Sequence, residues 1–178
     1  IFNQNTTYWM EIKTTASSSP SHRANFAMAL LEESRNVILF GGWDFDNPFK
    51  DTWVFDQRKN EWIEIYPSTS SPSARYLHAM ASIGKSNNVV LFGGHDDSNY
   101  FEDTWIFKQS LSNWIELSPT SSPSARFGHA MASLGDIQKV VLFGGSNSSF
   151  LQDTWIFDSA TTNWKEIILT NSPPGRAR

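Results

Sequence analysis

Cysteine is absent from the 178 residues. That excludes a disulfide scaffold, a thiolate zinc or iron–sulfur site and a cysteine nucleophile. Charge is also sparse: Asp, Glu, Lys and Arg make up 18%, against a typical ~25%. The 14 basic and 18 acidic side chains leave a formal net charge of −4, and without a basic face there is no nucleic-acid footprint. No apolar run approaches the about 20 residues of a membrane-spanning helix. There is no initiator Met and no charged start before an apolar run, so no targeting segment is visible. The chain opens mid-pattern, as a mature product or a fragment would. Composition assigns no compartment. Rings are what the chain has in plenty, with 13 Phe, 4 Tyr and 8 Trp. Few charges and many aromatics suit a chain of buried strands and exceed what a disordered polymer carries.

The sequence repeats itself three times. SPSHRANFAMALLEESRNVILFGG is followed by DTWVFD and NEWIEI; SPSARYLHAMASIGKSNNVVLFGG by DTWIFK and SNWIEL; SPSARFGHAMASLGDIQKVVLFGG by DTWIFD and TNWKEI. The second glycines of the pairs, Gly42, Gly94 and Gly145, mark a period of about 51 residues. Pro20, Pro72, Pro123 and Pro173 keep the same step, as do Trp9, Trp62, Trp114 and Trp164. The chain opens on the tail of a further repeat, Tyr8 to Ile12, and closes on the head of another, Ser172 to Arg178. The blade limits this predicts are 19–70, 71–121 and 122–171, with 1–18 the outer strand of a preceding or closing blade and 172–178 the start of the next.

Each repeat reads as four strands. The first covers Phe26 to Leu31, Leu77 to Ile83 and Phe127 to Leu134. The second is the Val/Ile/Phe run before the glycines, Val37 to Phe40, Val89 to Phe92 and Val140 to Phe143. Short continuous apolar runs bounded by turn residues predict strands buried on both faces. The third strand alternates, with Trp53 and Phe55 on one face and Thr52 and Val54 on the other; Trp105 and Trp155 repeat Trp53. The fourth puts Trp62 and Glu64 on one face, and its carboxylate places it outermost. Nothing between the strands leaves room for a helix, and the Pro/Ser/Thr stretches Pro67 to Ala74 and Ser118 to Ala125 read as loops between repeats.

A sheet of this size with two doubly buried strands cannot cover itself, so copies must stack, and radial stacking gives an all-β propeller. The period, the LFGG pair and the spaced tryptophan resemble the kelch motif, three times over and across essentially the whole chain. WD40 repeats are shorter and close on Trp-Asp; here Trp43-Asp44 follows the glycines and occurs in one repeat alone. The resemblance implies a kelch-type β-propeller of about three blades plus partial blades at both ends. Such a piece is part of a larger ring or half of a two-chain ring, completed by further blades of the same chain or by a second copy. The resemblance also implies that each late tryptophan packs over the glycine region.

The repeated residues read as structural. Gly41, Gly42, Gly93, Gly94, Gly144 and Gly145 supply positive φ or close backbone approach, and no phosphate-loop motif follows them. Asp51, Asp103 and Asp153, each before Thr-Trp, read as turn-closing acceptors at a strand start. Arg23, Arg75 and Arg126, with Arg176, each begin an innermost strand. They pair with carboxylates or carbonyls between blades, or form a positive rim that grips an acidic ligand. His78 and His129 follow two of these arginines and read as core residues, with no third metal ligand in view.

In an antiparallel meander the connection into each repeat and the segment after each glycine pair emerge at one end. These segments, Trp43 to Lys50, His95 to Glu102 and Ser146 to Gln152, differ while the scaffold around them hardly changes. Trp43, Phe45, Phe49, His95, Tyr100 and Phe150 are ring-bearing binding candidates there, with Asp44, Asp46, Asp96 and Asp97 adding negative charge. Two N-x-S/T tripeptides, at Asn5 and Asn147, lie in or near loops.

No catalytic constellation recurs, so a non-catalytic binding module for a protein or peptide partner is expected, with no cofactor, no metal and no membrane span. Kelch-like propellers commonly act as such modules. Two other classes compete. One is an enzyme: copper radical oxidases of the kelch type need a cysteine that is missing here, while His95, Asp96 and Asp97 offer metal ligands for another activity. The other is a carbohydrate-binding or cell-surface module that stacks sugars on exposed Trp and Tyr.

Overall fold

The computed structural model describes residues 2–3, 8–9, 11, 19–171 and 173–177. It is built of strands: β1 (Phe2–Asn3) and β2 (Tyr8–Trp9) form a short ribbon of their own. Twelve longer strands follow in three four-stranded antiparallel sheets. Blade 1 holds β3 (Ala27–Leu31), β4 (Asn36–Phe40), β5 (Thr52–Asp56) and β6 (Glu61–Ile65). Blade 2 holds β7 (Ala79–Ser82), β8 (Asn88–Phe92), β9 (Thr104–Lys108) and β10 (Asn113–Leu117). Blade 3 holds β11 (Ala130–Ser133), β12 (Lys139–Phe143), β13 (Thr154–Asp158) and β14 (Asn163–Ile167). Every sheet is a plain meander in chain order, and the sheets do not close on themselves. The three together are a partial all-β propeller.

The register follows from the period-two pattern. In blade 1, Leu39 faces Trp53 and Val54 faces Ile63, so apolar residues meet across each pair. The first strands begin one to three residues later than the apolar runs predict. The Arg-x-x segment before them instead runs through positive φ at Asn25, Leu77 and Gly128, which ends the ladder. Two 3-10 turns, Gln109–Leu111 and Gly135–Ile137, occupy hairpins where no helical turn was expected. Both are single turns, the length that geometry favours.

The core lies between the blades. Ala27, Ala29, Leu31, Ile38, Phe40 and Val54 of blade 1 pack against Met80, Val89, Leu91, Trp105, Phe107 and Trp114 of blade 2. Ala81, Ile83, Val90, Phe92 and Ile106 then carry the opposite side of blade 2 onto Val140, Leu142, Phe157 and Trp164. Burial of both faces of the first strand therefore holds for blade 2 alone. In blade 1, Met28 and Leu30 are exposed, and in blade 3, Ala130 and Ala132 are. Those faces point away from blade 2, and no further four-stranded sheet follows on either side among the described residues.

The glycine pairs explain how closely the blades approach. Gly42 donates its N–H to the Arg75 carbonyl of the next blade at 2.9 Å. A Cβ on Gly41 would stand 2.6 Å from that same oxygen, and Gly41 already has φ +63°. Any side chain there pushes the two blades apart.

The described part of the segment expected to be an outer strand is the β1–β2 ribbon. Met10 and Ile12, within the expected Tyr8 to Ile12 strand, lie outside the described residues, as do the Trp9 side chain, the Asn5 tripeptide, Ser172 and Arg178.

Candidate functional site

Each blade carries one buried ion pair at its loop end. Arg75 donates to both carboxylate oxygens of Asp103 at 2.6 and 2.7 Å, to the Gly93 carbonyl at 3.1 Å and to the Ser73 carbonyl at 3.0 Å. Its guanidinium lies 4.1 Å over the Phe101 ring. The Asp103 carboxylate also accepts from the Trp105 indole N–H at 2.7 Å. Arg23–Asp51–Trp53 and Arg126–Asp153–Trp155 repeat the arrangement. Burial alone would raise the Asp153 carboxyl. Hydrogen bonds from Arg126 and Trp155 outweigh it and hold the group below the usual carboxylate range. The pairs lie within blades rather than between them, and the three arginine side chains are buried. Arg176 differs: it is exposed, and its Nε donates to the Pro174 carbonyl at 3.3 Å.

Between blades the late tryptophans act as pegs. Trp114 donates its indole N–H to Thr52 Oγ1 of blade 1 at 3.0 Å and meets the Phe40 ring edge-on, next to Gly41. Trp164 does the same to Thr104 and Phe92. Trp62 is half-buried at the outer face of blade 1.

The variable loops cluster above these pairs. The residue after each glycine pair, Trp43, His95 or Ser146, bridges back to the residue after the arginine, Ala24, Tyr76 or Phe127. It also bridges forward to Pro48, Tyr100 or Phe150. The result is a ladder of rings across all three blades. Phe45 meets Trp43 at 4.8 Å, Trp43 stacks on Tyr76 at 5.5 Å, and Tyr76 meets His95 at 4.0 Å. His95 then meets Phe127 at 4.9 Å, and Tyr100 closes on Phe127 at 5.3 Å. Phe45, Tyr100 and Phe150 are 74, 51 and 69% exposed. Phe45 is held outward at φ +81°, a conformation few non-glycine residues adopt.

Asp44 and Asp96 shape these loops. Asp44 accepts the N–H groups of Asp46 and Asn47, and Asp96 those of Ser98 and Asn99, the Asx-turn geometry. For Asp44 these bonds hold the carboxyl below its usual range. For Asp96 they do so against the opposing effect of burial. Asp97 accepts the Tyr76 hydroxyl. Burial, then that bond and the charges of Asp97 and Asp96, push the Tyr76 hydroxyl up to about 12. Burial also holds the His95 imidazole below its ordinary range, against the pull of Asp97 and Asp96, so the ring is neutral at pH 7.

The metal ligands proposed from sequence do not converge. The Nδ1 of His95 accepts the Asp97 N–H at 3.4 Å, while Asp96 and Asp97 are turned to the bonds just described. No group of three or more His, Asp or Glu placed to share a metal ion occurs among the described residues. His78 and His129 are buried with their rings edge-on to Phe40 and Phe92 at 5.6 Å. A cleft of about 230 Å³ between blades 2 and 3 has Lys108, Gln138, Ser159 and Thr162 among its polar lining, without a carboxylate or imidazole. Asn147 sits in the blade 3 loop and accepts the Ser148 N–H at 2.6 Å.

Three features escaped the sequence reading. Tyr76 and Phe127 join the loops of neighbouring blades. The signal was available: the residue after each constant arginine is Ala, Tyr or Phe. Phe49, expected as a binding ring on the loop face, instead lies half-buried under the Arg23 guanidinium at 4.2 Å, and Phe101 lies likewise under Arg75 at 4.1 Å. Thr52 and Thr104 are the acceptors for the tryptophan pegs, and the constant Asp-Thr-Trp motif held that clue.

The sequence matches the KLHDC2/KLHL20/DRC7 kelch-repeats domain over residues 1–178. Tip elongation aberrant protein 1 of Schizosaccharomyces pombe is 29% identical over 77% of the chain and 12% of that protein. Kelch domain-containing protein 3 of Homo sapiens is 28% identical over 72% of the chain and 35% of that protein. Multiple epidermal growth factor-like domains protein 8, also of Homo sapiens, is 28% identical over 76% of the chain and 5% of that protein. The chain thus spans about a third or less of the length of these curated relatives. With the blade seams as its physical basis and that match along its whole length, the chain belongs to the kelch-repeat domain family.

Proposed function

We propose that the chain is a non-catalytic interaction module that holds a protein or peptide partner on the loop end of its blades. Kelch-repeat domains generally serve as protein-interaction modules, and the reading takes 19–70, 71–121 and 122–171 as the units that carry the loops. The supporting observation is the ring ladder, which crosses all three blades on segments that differ between repeats. Exposed aromatic side chains on rigid supports are the usual anchors of an interface. The buried arginines act as supports beneath the ladder.

The test is affinity capture with the wild-type chain and two triple variants. Phe45→Ala/Tyr100→Ala/Phe150→Ala removes the exposed rings, and Lys85→Ala/Leu111→Ala/Ile137→Ala alters the hairpin tips at the opposite end. Loss of partners with the first variant alone, at unchanged melting temperature, is the expected result. Equal capture by both variants refutes the reading.

A further inference from the structure

The charge of the molecule is unevenly placed. The loop segments 43–50, 95–102 and 146–152 carry five carboxylates, Asp44, Asp46, Asp96, Asp97 and Glu102, against Lys50 within them and the exposed Arg176 at the same end. The hairpins at the opposite end mix both signs, with Glu32, Glu33 and Asp136 against Arg35, Arg58, Lys59 and Lys85. Asp46 and Glu102 are exposed, and their carboxylates make no hydrogen bond or ion pair among the described residues.

The interior shows how this chain holds an arginine. Arg23 lies 4.2 Å over the Phe49 ring while donating to both oxygens of Asp51 at 2.6 and 2.8 Å. Arg75 lies over Phe101 with Asp103 alongside. A ring face and a carboxylate together match the flat, delocalised guanidinium better than an ammonium. The loop end carries the same two components on the outside: Phe45 with Asp46 beside it in sequence, and Tyr100 with Glu102 two residues on.

We propose that the partner presents an arginine-bearing segment to the loop end, its guanidinium groups lying on the exposed rings with the loop carboxylates alongside. This rests on the interaction-module reading and names the chemistry of the partner. The negative potential steers such a segment to the loop end, and the rings select Arg over Lys.

The test uses three labelled twelve-residue probes, an Arg–Gly repeat, a Lys–Gly repeat and a Glu–Gly repeat, titrated against the whole chain by fluorescence polarisation at 50 and 500 mM salt. The Arg–Gly probe is expected to bind at least about tenfold tighter than Glu–Gly, to bind tighter than Lys–Gly, and to weaken at high salt. Phe45→Ala/Tyr100→Ala should weaken it about fivefold, two exposed cation–ring contacts converted to affinity. Asp46→Asn/Glu102→Gln should flatten the salt dependence, and Asp136→Asn at the hairpin end should change nothing. Equal binding of Arg–Gly and Glu–Gly overturns the proposal. Equal binding of Arg–Gly and Lys–Gly with no effect of ring removal also overturns it, since charge alone would then act. If Arg–Gly fails to bind while ring removal still abolishes partner capture, this inference falls and the interaction module stands. If capture is also indifferent to the rings, both fall.

Discussion

Trp114 and Trp62 occupy the same register position in successive blades, yet Trp114 is 1% exposed and Trp62 only half-buried. The same contrast runs along the first strands. Blade 2 buries all four residues of β7, while β3 buries alternate residues and β11 buries none completely. The repeats hardly differ in these strands, so the difference comes from neighbours. Blade 2 has a four-stranded sheet on each side, and its flanking blades have one such neighbour each among the described residues. In a stacked architecture burial belongs to the seam between units, not to the unit.

The contrast is sharpened first by removing the pegs. Trp114→Ala leaves a cavity in a full seam and an unused acceptor on Thr52. It should cost about 3–5 kcal/mol by urea denaturation, as large-to-small core changes do. Trp62→Ala, at a half-covered face, should cost less than half as much in the same assay. Equal costs would mean that the two faces are equally covered in solution, and the contrast would fail.

The second comparison is between threonines. Thr52→Val strands the buried Trp114 indole N–H, which should cost about 1–3 kcal/mol. No donor reaches the Thr154 hydroxyl oxygen among the described residues, so Thr154→Val should be near neutral. Chemical denaturation midpoints of the two variants decide the matter.

The smallest effect is one of pH. Trp43, His95 and Ser146 hold equivalent places, and the middle blade alone has a titrating ring there. Burial lowers the folded His95 below its ordinary 6.5. The unfolded chain therefore takes up the proton first as pH falls. The stability this neutral ring contributes is whole above about 6.5 and is lost as pH drops from there through the folded value. His95→Trp, which copies blade 1, should lessen the decline in stability between pH 7.5 and 5. An unchanged decline would show that His95 is as solvated as a free imidazole.

Much of this architecture was legible because the repeat writes it three times. The LFGG runs and the Asp-Thr-Trp motif each mark a strand, and their recurrence marks a stacked sheet. The seams were less legible. That Trp114 reaches Thr52, 62 residues earlier, is a contact between repeats, and spacing within one repeat cannot predict it. The arginines were visible as a repeated feature, but their pairing within the blade depends on how far the strand after Asp103 returns, which is a property of the folded loop. The ring ladder was half visible. Loop divergence pointed to Trp43, His95 and Tyr100, whereas Tyr76 and Phe127 looked like part of the constant scaffold. Their side chains join the loops because positive φ at Leu77 and Gly128 turns the backbone there.

The seams have a direction. Blades 2 and 3 each pass a tryptophan back to the threonine of the blade before and offer a carbonyl to the glycine pair behind. Both connectors are built from invariant parts of the repeat, and neither involves the segments that vary. A blade can therefore be duplicated, deleted or exchanged in register while the couplings on either side stay the same. The variable loops can change like a cassette, with the mounting hardware left alone.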